Sequence, residues 1–150
     1  MLYIAHRGNV NGPSPKLENH PTYIIDALSA GYNVEVDIWH SQGQFILGHD
    51  NPEYEIDVDF LYKEGLWIHA KNVSALEKLL SLNIACFWHQ NDDFTLTTNG
   101  FIWTYPGQHL TSRSIAVMPE ISNYTRSDLL SCYGICSDYV EKYQRSFLNE

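Results

Sequence analysis

The chain has 150 residues, 44% of them apolar and 18% charged, the composition of an ordinary globular domain and not of a disordered tail. Nine Lys plus Arg against eighteen Asp plus Glu give a net charge of −9. That balance disfavours a nucleic-acid-binding surface, which needs a basic stripe, and docking on anionic lipid.

One domain over residues 1–150 is expected, large enough to bury a core without staples. Four Trp, ten Tyr and six Phe should build much of that core or of a cleft. Residues 2–6 read as a buried strand, followed by a Gly-, Asn- and Pro-rich loop to Pro15. Residues 20–30 read as a helix with Pro21 near its start, Gly31 as its stop and Ile24, Ile25, Ala27 and Leu28 on its apolar face. Residues 33–39 form the next strand, 41–44 a turn and 45–49 a returning strand. Between Asp50 and Glu64 lie six carboxylates opposed only by Lys63, which read as a solvated acidic loop and not as a second metal site.

Residues 66–71 are another strand, and Ser74 with Glu77 forms a capping box for a helix to about Leu82. Strands then follow at 84–88, 94–98, 101–105, 115–118 and 134–137, with helices at 126–132 and 140–148. The alternation points to an α/β layer or barrel. Cys86, Cys132 and Cys136 form no C-x-x-C pair and read as reduced, mostly buried thiols of a cytoplasmic protein. No export signal precedes His6-Arg7-Gly8, and no apolar run approaches a membrane span.

The chemistry concentrates at Glu35-Val36-Asp37. Carboxylates at i and i+2 of a strand share a face, and the opposite face is Val34, Val36 and Ile38. Two carboxylates aimed into an interior are costly unless a positive group lies between them. A hard divalent cation meets that need; an edge strand with its polar face in water is the plainer alternative. The neighbours favour a site. His6-Arg7, His49 and the His69/Lys71 pair each stand at or near the end of a strand, where sites of parallel α/β sheets assemble.

In order and spacing, His6-Arg7-Gly8, Glu18-Asn19, Glu35-x-Asp37 and His49-Asp50 resemble the glycerophosphodiester phosphodiesterases, within the phospholipase C-like phosphodiesterase superfamily. Lys71, Trp103-Thr104 and Gly134-Ile135-x-Ser137-Asp138 are weaker echoes. The resemblance implies metal-dependent hydrolysis of a small polar phosphodiester. His6 and His49 would be general acid and base, Arg7 and Lys71 the partners of the phosphate, and Glu35 and Asp37 the ligands of Mg²⁺ or Ca²⁺. Where the family has a glutamate ligand, this chain has His69. As a third ligand it would favour Mn²⁺ or Zn²⁺; otherwise two protein ligands hold Mg²⁺ weakly, or His69 joins the acid–base set. Trp103, with Trp88 and Tyr105, is core or substrate platform, and Trp103 is the candidate substrate contact.

The H-D pair also occurs in helical phosphohydrolases, but here it follows a strand pattern. Two other readings keep the same residues: a cyclising phosphodiester lyase, and a non-catalytic module that binds metal and phosphate. The length narrows the fold. A (β/α)₈ barrel takes about 250 residues, rarely under 200. The expectation is therefore a contracted TIM-like (β/α) barrel with several outer helices missing, its bare face open to a second copy in a homodimer.

Overall fold

A computed structural model describes residues 1–148. Ten strands form one sheet: β1 (Leu2–His6), β2 (Asn33–Ser41), β3 (Gln44–Leu47), β4 (Tyr54–Ile56), β5 (Leu66–Ala70), β6 (Cys86–Trp88), β7 (Phe94–Leu96), β8 (Ile102–Thr104), β9 (Ser114–Val117) and β10 (Gly134–Ser137). Four short helices accompany them: α1 (Pro21–Ser29), α2 (Val73–Ser81), α3 (Arg126–Leu130) and α4 (Val140–Leu148). A parallel run β6-β5-β2-β1-β10-β9-β8 is the body of the sheet. The end of β2 also carries the antiparallel arm β3-β4, and β7 lies antiparallel on β8.

The sheet curls into a half-barrel dominated by strands, and the contracted TIM-like barrel is corrected by it. The repeating helix between parallel strands is absent from several connections. The arm β3-β4 and one 3-10 turn link β2 to β5, β7 links β6 to β8, and a loop links β8 to β9. A parallel crossover through a helix needs about a dozen residues or more, and the links after Trp88 and Thr104 spend theirs on a hairpin strand and a loop. The β6 edge meets β7 and the turn after it through isolated bonds, from Thr98 N to Cys86 O at 2.9 Å, from Cys86 N to Thr98 Oγ1 at 2.9 Å and from Thr95 Oγ1 to Trp88 O at 2.7 Å.

Alternation along the strands buries both faces of the sheet in three clusters, one of them Ala116 of β9 and Ile135 of β10 packed with Leu110, Leu129 and Cys132. On the convex side Ala5, Val34, Val36, Ile38 and Ile68 pack against Ile24 and Ala27 of α1 and Ala75 and Leu79 of α2. The concave side holds Ile4, Trp67, Phe87, Trp103, Ile115, Val117 and Cys136. Both faces of β2 are therefore buried, and Glu35 and Asp37 point into the hollow with 3% and 0% of their surface exposed. The edge-strand alternative fails for that reason.

Several local expectations shift. Asn72, not Ser74, caps α2, accepting from Ala75 N at 2.9 Å. His20 caps α1 by accepting from Thr22 N. Ile25, placed on the apolar face of α1, is exposed. The strand β4 rises inside the segment read as a plain acidic loop, with Ile56 buried against the convex core, while the six carboxylates of that segment are all exposed. All three cysteines are free and buried. Among the described residues no helix is long and apolar enough to cross a membrane.

Candidate functional site

Strand register brings the polar residues together. His6 pairs with Glu35 across β1 and β2, and Asp37 pairs with His69 across β2 and β5. Asp138 follows the end of β10, which runs beside β1. His89, Tyr105 and Met118 directly follow β6, β8 and β9. One end of the parallel run thus lines a single cavity of about 410 Å³, on the side where open α/β sheets bind ligands.

Asp37 is the hub. Its Oδ2 accepts from Asn19 Nδ2 at 2.9 Å and lies 3.1 Å from both Arg7 Nε and His49 Nδ1. Its Oδ1 lies 3.0 Å from His69 Nδ1 and 3.5 Å from Lys71 Nζ. Burial alone would raise its pKa, but the bonds from His49 and His69 and the charge of Arg7 hold it well below the usual carboxylate range. Glu35 is the opposite case. It receives a long hydrogen bond from Arg7 N at 3.3 Å, with His6 Nε2 at 4.0 Å and His69 Nδ1 at 3.9 Å. Burial and the neighbouring Asp37 charge push its pKa up.

His6 Nδ1 donates to Asp138 Oδ1 at 2.8 Å. Burial works to lower the pKa of His6, and Asp138 together with Glu35 outweighs it, so the imidazolium is favoured. Asp138 is itself held low; burial opposes this, but His6 and Asn9 prevail. Behind it, Glu120 accepts from Ser137 Oγ at 2.9 Å and from Asp138 N at 3.1 Å. The fully buried Asn9 joins Glu18 and Asp138 through its Nδ2.

His49 is set differently. Arg7 Nη2 lies 3.1 Å from its Nε2, and a guanidinium can only donate. Its Nε2 therefore accepts, and its Nδ1–H points to Asp37 Oδ2. Arg7 takes φ 53°, a left-handed value uncommon outside glycine, and the next residue must be small. A Cβ on Gly8, whose φ is 91°, would stand 2.8 Å from the ring of Tyr23.

Glu35, Asp37 and His69 fit a divalent cation: one ligand atom of each lies within 4.8 Å of the others. Glu35 is the better indication, because a buried carboxylate with so few donors is underneutralised. His69 Nδ1 would release its proton to serve as ligand.

Of the residues expected from sequence, His6, Arg7, Glu35, Asp37, His49, His69 and Trp103 line the cavity. Lys71 sits behind Asp37 and 3.3 Å from His49 Nδ1. Trp103 is only 3% exposed and packs between Phe87 and Trp67, ring centroids 4.5 and 5.8 Å away; it is mainly core. The loop residue Asn19 clamps Asp37 from both sides, since its Oδ1 also accepts from Asp37 N at 2.9 Å. Sequence reasoning gave no role to Asn9 and placed Asp138 only in a closing strand. Neither role has a local signal, because Asp138 meets Asn9 across 129 residues and His6 across 132. His20 and His40 stand outside the cavity and are half-buried, the first capping α1 and the second 2.8 Å from Ser74 Oγ. His49 follows a strand and no helix, unlike the H-D pair of helical phosphohydrolases.

Comparison with protein-family models, curated proteins and solved structures finds no match to this chain.

Proposed function

We propose that the chain is a metal-dependent phosphodiesterase acting through His6 and His49, as its motifs resemble those of glycerophosphodiester phosphodiesterases. The observation that carries this reading is one cavity in which Arg7 and three imidazoles surround two buried carboxylates. A divalent cation held by Glu35, Asp37 and His69 would neutralise charge on the non-bridging phosphate oxygens.

Arg7 supplies donors to the same oxygens. As its Nη2 turns to the phosphate, His49 Nε2 is freed to take a proton from water. That water attacks phosphorus, one P–O ester bond breaks, and the leaving alkoxide takes a proton from His6. The products are a phosphomonoester and an alcohol. His6 suits the acid role because Asp138 and Glu35 favour its charged form. His49 suits the base role because its lone pair faces Arg7. Lys71 offsets the local negative charge from behind Asp37. One acid and one base give a bell-shaped dependence of rate on pH.

The test uses two substrates, methyl 4-nitrophenyl phosphate and a dialkyl diester such as glycerophosphoglycerol, with Mg²⁺, Ca²⁺ or Mn²⁺ and with chelator. His49→Ala should lower turnover of both by about 10²–10⁴-fold. His6→Ala should hurt the dialkyl diester more, because nitrophenolate departs without a proton. Phosphorus NMR identifies the product, and a cyclic phosphate would replace hydrolysis by cyclisation. Full activity in both variants would overturn their roles. No chelator-sensitive product from either substrate would sink the enzyme reading.

A further inference from the structure

The cavity has two unlike walls. One is the charged cluster just described; the other consists of His89, Tyr105, Pro106, Val117, Met118 and Ile121. His89 and Tyr105 stack with centroids 3.7 Å apart and planes 21° apart. The His89 ring centroid lies 6.1 Å from that of His69, and His69 Nε2 lies 3.4 Å from His89 O. His89 therefore stands directly beside the candidate metal ligand His69. Its outer rim is Ile121, which keeps 67% of its surface exposed while lining the cavity. Ile121 ends a 3-10 turn entered through Met118, whose φ is 44°. A cavity of about 410 Å³ lies in the range of pockets for drug-sized ligands, about 300–1,000 Å³, and is several times what a lone phosphate needs.

We infer that this wall binds a planar aromatic group carried on one ester oxygen of the substrate, making the preferred phosphodiester an aryl or aryl-bearing one and not a small polar one. The inference rests on the phosphodiesterase reading for the identity of the charged end. A flat ring is the favoured occupant because two stacked aromatic rings, His89 and Tyr105, already line this wall, and aromatic rings pack on one another offset or edge-to-face. Met118 and Ile121 supply adaptable and branched apolar contacts beside it. Small polar substituents would leave this wall in water and gain nothing from it.

The experiment measures the affinities of dimethyl, dibutyl and diphenyl phosphate by calorimetry with Ca²⁺ present, alongside turnover of methyl 4-nitrophenyl phosphate. Diphenyl phosphate should bind at least tenfold tighter than dimethyl phosphate and tighter than dibutyl phosphate. In Ile121→Ser and Tyr105→Ala the ratio of diphenyl to dimethyl affinity should fall at least threefold. Ile121 is exposed, so its variant should keep the wild-type melting temperature. Equal affinities across the series overturn the inference, as does dibutyl binding as tightly as diphenyl, or a ratio unchanged in both variants. A flat series with turnover retained overturns the aromatic subsite alone. A steep series without turnover supports the subsite and overturns hydrolysis.

Discussion

Glu35 and Asp37, two residues apart on one face of β2, titrate in opposite directions because their neighbours differ. Asp37 collects Asn19, Arg7, His49, His69 and Lys71, whereas Glu35 has a single long backbone bond and a repelling carboxylate. The two signs follow from linkage. Asp37, held low when folded, contributes stability above the ordinary carboxylate range that is lost as pH falls through its depressed folded value. Glu35, held high when folded, costs stability that builds up as pH rises above the ordinary carboxylate range and is complete above its raised folded value. Glu35→Gln should therefore stabilise the metal-free chain at neutral pH while weakening divalent-cation binding. A gain of about 1 kcal/mol would appear as a melting temperature roughly 2–4 °C higher, read by calorimetry in chelator; titration with Ca²⁺ or Mn²⁺ reads the loss of affinity. A lower melting temperature in chelator would contradict the electrostatics argued for Glu35.

Helix α2 shows how an element is tied to the site. Asn72 accepts from Ala75 N to start the helix and also exchanges hydrogen bonds with His40 N and O on β2. It follows Lys71 directly, so the cap also anchors the backbone that presents that lysine. The sequence offers Ser74 with Glu77 as a plausible capping box. The chain instead enters the helix two residues earlier, where one amide side chain satisfies a helix end and a strand together. Asn72→Ala should cost about 1 kcal/mol or more, and Ser74→Ala no more than about 0.5 kcal/mol; denaturant unfolding of the two variants separates them. The strands β1 and β10, by contrast, were readable to the residue, because short apolar runs between turn residues leave few alternatives.

At the scale of the whole molecule, few helices cover a strongly curled sheet. The strands β1, β2 and β10 have paired neighbours on both sides and buried faces. The arm β3-β4 and the strand β7 hang on one partner each, and Phe94 and Leu96 of β7 are exposed by 46% and 71%. Stability should follow that gradient. Amide hydrogen exchange should be slowest in β1, β2 and β10 and at least about tenfold faster in β7 and β4. Uniform protection across the sheet would mean that the β6 and β7 edges are joined more firmly than their isolated bonds suggest.

By itself the sequence determined which residues could do chemistry and much of the strand pattern. Glu35 and Asp37 share a face because a strand has a period of two, and β1 and β10 stand out as short apolar runs between turn residues. Such rules are local. Only the tertiary structure decided that the connections would make a curled half-barrel with few helices, and that Asp138 and Asn9 would support His6 from the other end of the chain or its first loop. It also decided that apolar residues after β8 and β9 would face the charged cluster. Those outcomes depend on strand order and on contacts between residues far apart in the chain. The closing of a sheet fixes them, and no spacing within a single segment encodes them.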